Sequence, residues 1–356
     1  MKRASSLEYG DDSVAAQIID HKLLKTPKLD QKDNDLVWAE PQSPNEIVDE
    51  AIKKYNFESF YVLFSGGKDS VCVADFIAKN YPKQFKGIVF TNTGLGARDT
   101  RKFVVQYAKK RGWPIHMTWA SEKETFYKVA MTRGFAFPGN HKTWMGYLKM
   151  HTWYYFIHPI RKSGENACFI SGVRKKESRA RDKIKSYTKS PLDFNSGEPY
   201  LKPFLYKNGL QLWDYYNEND LEKTSVYEWL NRSGECYCGA HAEPWDLQLM
   251  KKYDKLAYDT IKWLEKEMAK TLEYILFVLQ PKESDIVNWY RMYHVKHLKD
   301  QLTKEQKQIV CLTYFNKWGY KNSTEDIEAQ TTFEDFEDNQ IEINEDYCGE
   351  SCIVDS

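Results

Sequence analysis

The chain has 356 residues, and its 51 Lys and Arg residues balance 51 Asp and Glu residues, which excludes a general basic coat for nucleic acid. Hydrophobic residues make up 42% and aromatic residues 15%, which excludes a wholly disordered chain. No apolar run approaches the ~18 residues that span a bilayer, and Met1 to Asp12 lack the apolar core of a secretory signal, so we expect a cytoplasmic protein with no membrane partner.

Residues 1–45 are polar and contain three prolines, which predicts a loosely ordered lead-in. Beyond it, helical periodicity alternates with short apolar runs. The predicted helices are Asn45–Tyr55, Ser70–Tyr81 and Asp99–Arg111, and the predicted strands are Phe60–Phe64, Gly87–Thr91, Pro114–Thr118 and Ala167–Ser171. This alternation is typical of an α/β fold with a doubly wound parallel sheet, which we predict for a domain at residues 46–215.

The pattern changes near residue 210, where long helical periodicities begin. They predict helices at Trp245–Lys270, Ser284–Leu298 and Thr303–Trp318, within a Cys-containing helical region at residues 216–323. Residues 324–356 are rich in Glu and Asp and poor in apolar residues. We predict that this acidic tail is disordered.

The first predicted strand runs into a short polar segment that opens directly into a helix. Its residues are Ser65, Gly66, Gly67, Lys68, Asp69 and Ser70. Glycines let a backbone approach phosphate oxygens, and the free N–H groups of a helix start attract the anion. The serine hydroxyls can donate hydrogen bonds, Lys68 adds positive charge, and Asp69 suits a bridging Mg²⁺. The segment predicts a phosphate loop, and it is also compatible with a plain Gly-Gly turn between a strand and a helix.

A basic segment follows the predicted strand Ala167–Ser171. Seven Lys and Arg residues lie between Arg174 and Lys185. Arginine presents a planar fork that suits phosphate or sulfate. The segment can hold a 3′-phosphate, a pyrophosphate or a nucleic-acid strand, and it is also compatible with a solvated charged surface.

These segments resemble the phosphoadenosine phosphosulfate (PAPS) reductase-like family of the adenine nucleotide alpha-hydrolase superfamily. The phosphate loop resembles that superfamily's pyrophosphate loop. The segment from Thr91 to Gly94, together with Asp99-Thr100, is similar to the part of the family that holds the base and sugar of the nucleotide. Residues 172–181 resemble the family's Gly-x-Arg-x-x-Glu-Ser-x-x-Arg signature. The resemblance covers residues 58–215 and implies binding of PAPS, adenosine phosphosulfate or ATP. Beside Ser65 to Ser70, the implied nucleotide-binding residues are Thr93, Gly94, Arg174, Glu177, Ser178 and Arg181.

One segment departs from the family. Trp144 and Leu148-Lys149 are similar to an aromatic–Cys–Leu-Lys segment, but Met145 stands where many relatives have the cysteine. Methionine forms no thiolate, so chemistry that needs that cysteine is absent. The resemblance implies that Lys149 contacts phosphate or sulfate, and we take Lys68, Asp69 and Lys149 as candidate catalytic residues.

The seven cysteines are too sparse for a secreted disulfide framework and indicate reduced thiols. Cys236, Cys238 and His241 are spaced so that they can supply ligands to Zn²⁺ or an iron–sulfur cluster, with a fourth ligand from Cys168 or Cys311. A redox or sulfur-carrying role, with Cys238 as the catalytic thiol, and a purely structural role are the alternatives.

The resemblance implies an enzyme of sulfur metabolism, with two compatible chemistries. The first is reduction of PAPS or adenosine phosphosulfate to sulfite, with a thioredoxin-like reductant. The second is an ATP-pyrophosphatase sulfurtransferase that adenylates a tRNA or DNA acceptor and takes sulfur from a donor protein. A non-catalytic nucleotide-binding subunit is the third hypothesis. We expect sulfonucleotide reduction.

Overall fold

The computed structural model describes residues 43–175, 191–195 and 198–319. The acidic tail and the lead-in up to residue 42 lie outside these ranges. The strands are β1 Ser59–Leu63, β2 Phe85–Asn92, β3 Ile115–Trp119, β4 Ala167–Ile170, β5 Leu192–Asn195 and β6 Glu198–Leu201. They form one sheet in the order β3-β2-β1-β4-β6-β5.

The sheet is parallel except at one edge. β1 pairs in parallel with β2 and with β4, and β4 pairs in parallel with β6, whereas β5 runs antiparallel to β6. From β1 the chain proceeds outward to β2 and β3, and it later returns to place β4 on the other side of β1. The predicted α/β class, with a parallel sheet flanked by helices, is confirmed.

Helices fill most of the remaining described chain. They are α1 Pro44–Tyr55, α2 Lys68–Asn80, α3 Arg98–Arg111, α4 Phe126–Arg133, α5 His141–Met145, α6 His151–Lys162, α7 Gly209–Glu218, α8 Val226–Leu230, α9 Asp246–Tyr253, α10 Lys255–Leu279, α11 Glu283–Tyr293, α12 Lys296–Lys299 and α13 Lys304–Tyr314. A single π-helical turn, Gly146–Met150, lies between α5 and α6. No helix within the described ranges has both the length and the apolar character needed to cross a bilayer.

Burial of apolar side chains fixes the position of α2. Val62 of β1, Ile88 of β2 and Ile170 of β4 are fully buried, as are Val71 and Ile77 of α2, and all five share one core. Each such side chain contributes roughly 1.5–3 kcal/mol when it leaves water. The start of α2 is therefore held firmly beside the end of β1.

Two predicted helices are wrong in their extent. The predicted helix Trp245–Lys270 is two helices, because Asp254 leaves helical geometry and its carboxylate accepts the backbone N–H of Ala257 at 3.3 Å, which caps α10. The predicted helix Ser284–Leu298 also divides: α11 ends at Tyr293, and the β-branched Val295 is extended before α12.

The described residues fall into two compact units. The first contains residues 43–91, 97–117, 160–175, 191–195 and 198–235, and the second contains 92–96, 118–159 and 236–319. α4 packs against α10 and α13, which joins residues 118–159 to the C-terminal helices. The expected domain boundary at residue 215 stays a prediction.

Candidate functional site

The phosphate loop and the start of the basic segment leave the sheet at neighbouring strands. The loop of residues 65–70 follows β1, and Gly172 to Arg174 follow β4, which pairs with β1. The strand order reverses between these two strands. Open α/β sheets bind ligands in the crevice outside the carboxyl ends of their strands at such a switch point. The structure thus brings together the two segments that sequence reasoning singled out.

Hydrogen bonds within the loop fix its shape. Gly66 has a φ of 77°, a left-handed conformation that favours glycine. The Ser70 hydroxyl donates to the Gly67 carbonyl at 2.8 Å and accepts the Ser65 N–H at 3.2 Å. Ser70 is buried, with 7% of its surface exposed. Its hydroxyl therefore organises the loop in this structure, a role that the sequence alone did not indicate.

The loop presents the positive end of a helix. α2 begins at Lys68 with Gly67 as its N-cap, and no side chain caps it. The first N–H groups of a helix have no intrahelical acceptor, and the helix dipole makes this end positive. Donors of this kind attract anions, so phosphate binding at the end of β1 stays a prediction.

Asp69 connects the two segments electrostatically. Its Oδ1 lies 3.2 Å from Nζ of Lys68 and 3.2 Å from Nε of Arg174. Arg174 is buried, with 4% exposed, so its guanidinium is held in place. Within the described ranges, Oδ2 of Asp69 receives no protein hydrogen bond. One carboxylate oxygen combined with substrate phosphates is a usual ligand set for Mg²⁺, so Asp69 fits the predicted magnesium role.

Gly172 allows the close approach of the two segments. A Cβ at this position would lie 2.9 Å from both the carbonyl carbon and the carbonyl oxygen of Asp69. Real Cβ atoms do not come this near to backbone, so only glycine fits here without a backbone shift. The sequence contained this signal as the first position of the Gly-x-Arg motif, but we did not assign Gly172 a site role.

The segment after α7 adds groups that sequence reasoning missed. The Thr224 N–H donates to the Gly66 carbonyl at 3.3 Å. Nζ of Lys223 lies 5.5 Å from the Trp213 ring centre, and Nζ of Lys68 lies 5.3 Å from the same ring. A cavity of about 440 Å³ next to them is lined by Lys223, Phe103 and residues near them. No motif marks these positions.

Other predicted residues have defined surroundings in the second unit. Thr93 is fully buried, and its hydroxyl donates to the Leu95 carbonyl at 3.4 Å. Gly94 has a φ of 86°, and its N–H donates to Oδ1 of Asn92 at 3.0 Å. The predicted residues Glu177, Ser178 and Arg181 lie outside the described residues.

The cysteine segment contributes a compact group in the second unit. Cys238 is buried with 8% exposed, and a hydrogen bond with Cys236 and burial raise its pKa, while Lys149 opposes the shift. The His241 ring meets the His141 ring edge-on, with centroids 4.7 Å apart. Of the residues that the structure describes, no three His, Cys, Asp or Glu side chains are arranged to hold a metal ion. A Zn²⁺ or iron–sulfur site here stays a prediction.

Comparison with protein families gives one match. Residues 59–237, half of the chain, match the model of the phosphoadenosine phosphosulfate reductase domain. No curated protein matches the sequence.

Solved structures with a similar fold are distant in sequence. A PAPS reductase from Candida auris in a phosphate complex is 18% identical, covers 64% of this chain and 94% of its own, and has a TM-score of 0.39. The FMN adenylyltransferase of Candida glabrata in complex with ATP is 12% identical, with coverages of 60% and 66% and a TM-score of 0.35. The U34-tRNA thiolase NcsA of Methanococcus maripaludis, with its [4Fe-4S] cluster, is 11% identical, with coverages of 64% and 80% and a TM-score of 0.33.

Proposed function

The chain belongs to the phosphoadenosine phosphosulfate reductase domain family, and on that premise we propose that it is an enzyme that binds a sulfonucleotide and reduces it to sulfite. The observation that carries the proposal is the junction of Asp69 and Arg174 at the switch point of the sheet. Its neighbours, Lys68 and the start of α2, make this point positive.

The charges support binding of the sulfate or phosphate end of a nucleotide. Lys68 and Arg174 both pair with Asp69, at the start of α2, where the helix dipole is positive. A buried arginine keeps its orientation when the substrate arrives, so little reorganisation is needed as charge develops on the leaving group. Catalysis at such a site rests on positioning and electrostatic stabilisation.

The reduction requires a thiolate, for which Cys238 is the candidate within this chain. The thiolate sulfur attacks the sulfur atom of the sulfonucleotide, and the bond between that atom and the phosphate oxygen breaks. The adenosine phosphate leaves with the electron pair. A dithiol of a thioredoxin-like reductant then cleaves the new S–S bond, is itself oxidised to a disulfide, and releases sulfite. Lys149, whose charge acts on Cys238, is the candidate cation beside this thiol.

Two observations favour ATP-dependent sulfur transfer as the second candidate. Among the described residues Oδ2 of Asp69 receives no protein hydrogen bond, which suits the Mg²⁺ that an ATP reaction uses. Cys238 is too buried to meet a substrate without a local movement. In this reaction an acceptor oxygen of tRNA or DNA attacks the α-phosphorus of ATP and pyrophosphate leaves. A sulfur donor then displaces AMP.

Parallel product analysis distinguishes the proposals. Purified protein is incubated with PAPS or adenosine phosphosulfate and a dithiol reductant, and separately with Mg-ATP, tRNA or DNA, and sulfide as the sulfur donor. Sulfite release that Lys68→Ala and Cys238→Ser abolish, and that the exposed-residue control Lys83→Ala keeps, supports reduction. Release of AMP and pyrophosphate only with an acceptor overturns reduction in favour of sulfur transfer. Nucleotide binding with neither product leaves a non-catalytic subunit.

A further inference from the structure

A second cationic group lies in the second unit, apart from the residues used above. We call it the Arg133 cluster, and it consists of Arg133 at the end of α4, Tyr147 of the π-helical turn, Tyr293 at the end of α11, Lys299 at the end of α12, and Cys311 of α13. Cys311 is buried, and the other four are half-buried. Five separate elements therefore bring these side chains to one place.

The contacts join the cluster around its two tyrosines. Nη2 of Arg133 donates to the Tyr147 hydroxyl at 3.2 Å, and the Cys311 thiol donates to the Tyr293 hydroxyl at 3.3 Å. Nζ of Lys299 lies 4.1 Å from the centre of the Tyr293 ring. Burial raises the pKa values of Tyr293 and Cys311, and Arg133 lies near enough to both for its charge to oppose that shift. Lys299 therefore sits against the Tyr293 ring, and the charge of Arg133 acts on the same tyrosine.

The charge of the Arg133 cluster is not balanced. Within the described ranges, neither Arg133 nor Lys299 forms an ion pair with a carboxylate. Two further charges act on Lys299: Lys307 is another cation, and Asp300 is an anion with an exposed side chain. Burial, followed by repulsion from Arg133, lowers the pKa of Lys299. Partly burying two like charges costs free energy, and contact with tyrosine rings offsets only part of that cost.

We propose that the Arg133 cluster binds a tetrahedral oxyanion, a phosphate or sulfate group, between Arg133 and Lys299. The guanidinium supplies a planar fork that matches two oxygens, the ammonium supplies a compact charge, and the Tyr147 and Tyr293 hydroxyls are within reach as further donors. The same chemistry fits an inorganic ion and a phosphodiester group of a polynucleotide. The proposal uses none of the residues assigned to the nucleotide site above and does not depend on its reaction.

Protection of Arg133 from chemical modification tests the proposal at the site itself. The full-length protein is treated with phenylglyoxal, which modifies arginine, and modification of Arg133 is followed by mass spectrometry with and without inorganic phosphate, sulfate or a short oligonucleotide. Modification of Arg174 in the same samples reports separately on the phosphate loop. We expect an oxyanion to slow modification of Arg133 by about tenfold, as charge-assisted hydrogen bonds are strong.

Variants of Lys299 supply the matched comparison. Protection of Arg133 should be lost in Lys299→Gln and kept in Lys299→Arg and in Lys296→Gln, an exposed lysine of the same short helix. Thermal unfolding of each variant checks that the fold is intact. Protection by inorganic phosphate or sulfate identifies a free ion, and protection by the oligonucleotide alone identifies a phosphodiester. No protection by any of the three, or equal protection in Lys299→Gln, overturns the proposal.

Discussion

Nε of Arg174, in the segment that follows β4, lies 3.2 Å from Oδ1 of Asp69, in the loop that follows β1. The pair connects two strands that are neighbours in the sheet but are separated by about a hundred residues of sequence. Arg174 is buried and the Asp69 side chain is 24% exposed, so the carboxylate reaches the surface of the crevice while the guanidinium supports it from below. The contact joins the loop to Arg174 at the start of the basic segment, and their action as one site stays a prediction.

Replacing Arg174 should weaken nucleotide binding more than the loss of one surface charge. Arg174→Lys keeps the charge but loses the planar fork, and Arg174→Ala leaves Asp69 with only Lys68 as its ion-pair partner among the described residues. We expect the dissociation constant to rise by about tenfold in Arg174→Lys and further in Arg174→Ala, because charge-assisted hydrogen bonds are worth roughly 1.5–3 kcal/mol. Calorimetric titration with PAPS and ATP measures this.

The control for Arg174 is Arg101→Ala, since Arg101 is an exposed arginine of the same unit. It should bind nucleotide as the unmodified protein does. Equal affinity in Arg174→Ala and Arg101→Ala would contradict a role for Arg174 in the site.

Gly172→Ala should damage both the loop and the stability of the fold. The added Cβ meets the Asp69 backbone at 2.9 Å, and backbone cannot move aside as a flexible side chain does. We expect a loss of about 1–3 kcal/mol in the free energy of unfolding, typical of overpacking, together with weaker nucleotide binding. Urea unfolding and calorimetric titration measure the two effects.

Gly164→Ala is the control that separates the effect of backbone strain from the effect of a steric contact at the added Cβ. A Cβ at Gly164 meets nothing within 4 Å, but its φ of 75° is left-handed. Its substitution should therefore cost stability, by about 1–2 kcal/mol, without changing nucleotide binding. If Gly172→Ala bound nucleotide as tightly as Gly164→Ala, the close approach at Asp69 would have no functional role.

The parts of the fold and site that follow from local sequence were predictable. The apolar run before Ser65 and the glycines after it predict a strand, a tight turn and a helix start, and Gly66 makes the turn in a left-handed conformation. The position of Lys223 beside the Trp213 ring was not predictable, because it depends on the packing of distant segments and no motif marks it. The helical periodicity also continues through Asp254, so the break there was hidden in the pattern.

The two cysteines of the Cys-Tyr-Cys segment should differ in reactivity. Cys236 is half-buried and Cys238 is buried with 8% exposed, so iodoacetamide should label Cys236 first. Peptide mass spectrometry after short exposures follows each site, with the buried Cys72 as the unreactive reference. If sulfonucleotide reduction uses Cys238, adding PAPS without a reductant should convert its thiol to the sulfonated form and block its labelling. Labelling of Cys238 before Cys236 would contradict the described arrangement.

Acid should destabilise the protein through His294. Burial, and then the charge of Lys299, lower the pKa of His294 to about 4, from about 6.5 in an unfolded chain. The rings of Tyr290 and Tyr293 pack against it. Between these two pKa values the unfolded chain binds a proton that the folded protein does not. Stability from this group is therefore complete above about pH 6.5 and is lost as the pH falls toward about 4.

The comparison of His294→Gln with the unmodified protein isolates this effect. Urea unfolding between about pH 7 and pH 5 should show a fall in the free energy of unfolding that is smaller in His294→Gln, by on the order of 1 kcal/mol. Burial also lowers the pKa of His141 to about 4. Its contribution to the pH dependence is the same in both proteins and therefore cancels in the comparison. His297→Gln, a change at an exposed histidine three residues away, should keep the full pH dependence. A pH dependence that is unchanged in His294→Gln would show that His294 is protonated as readily in the folded protein as in the unfolded chain.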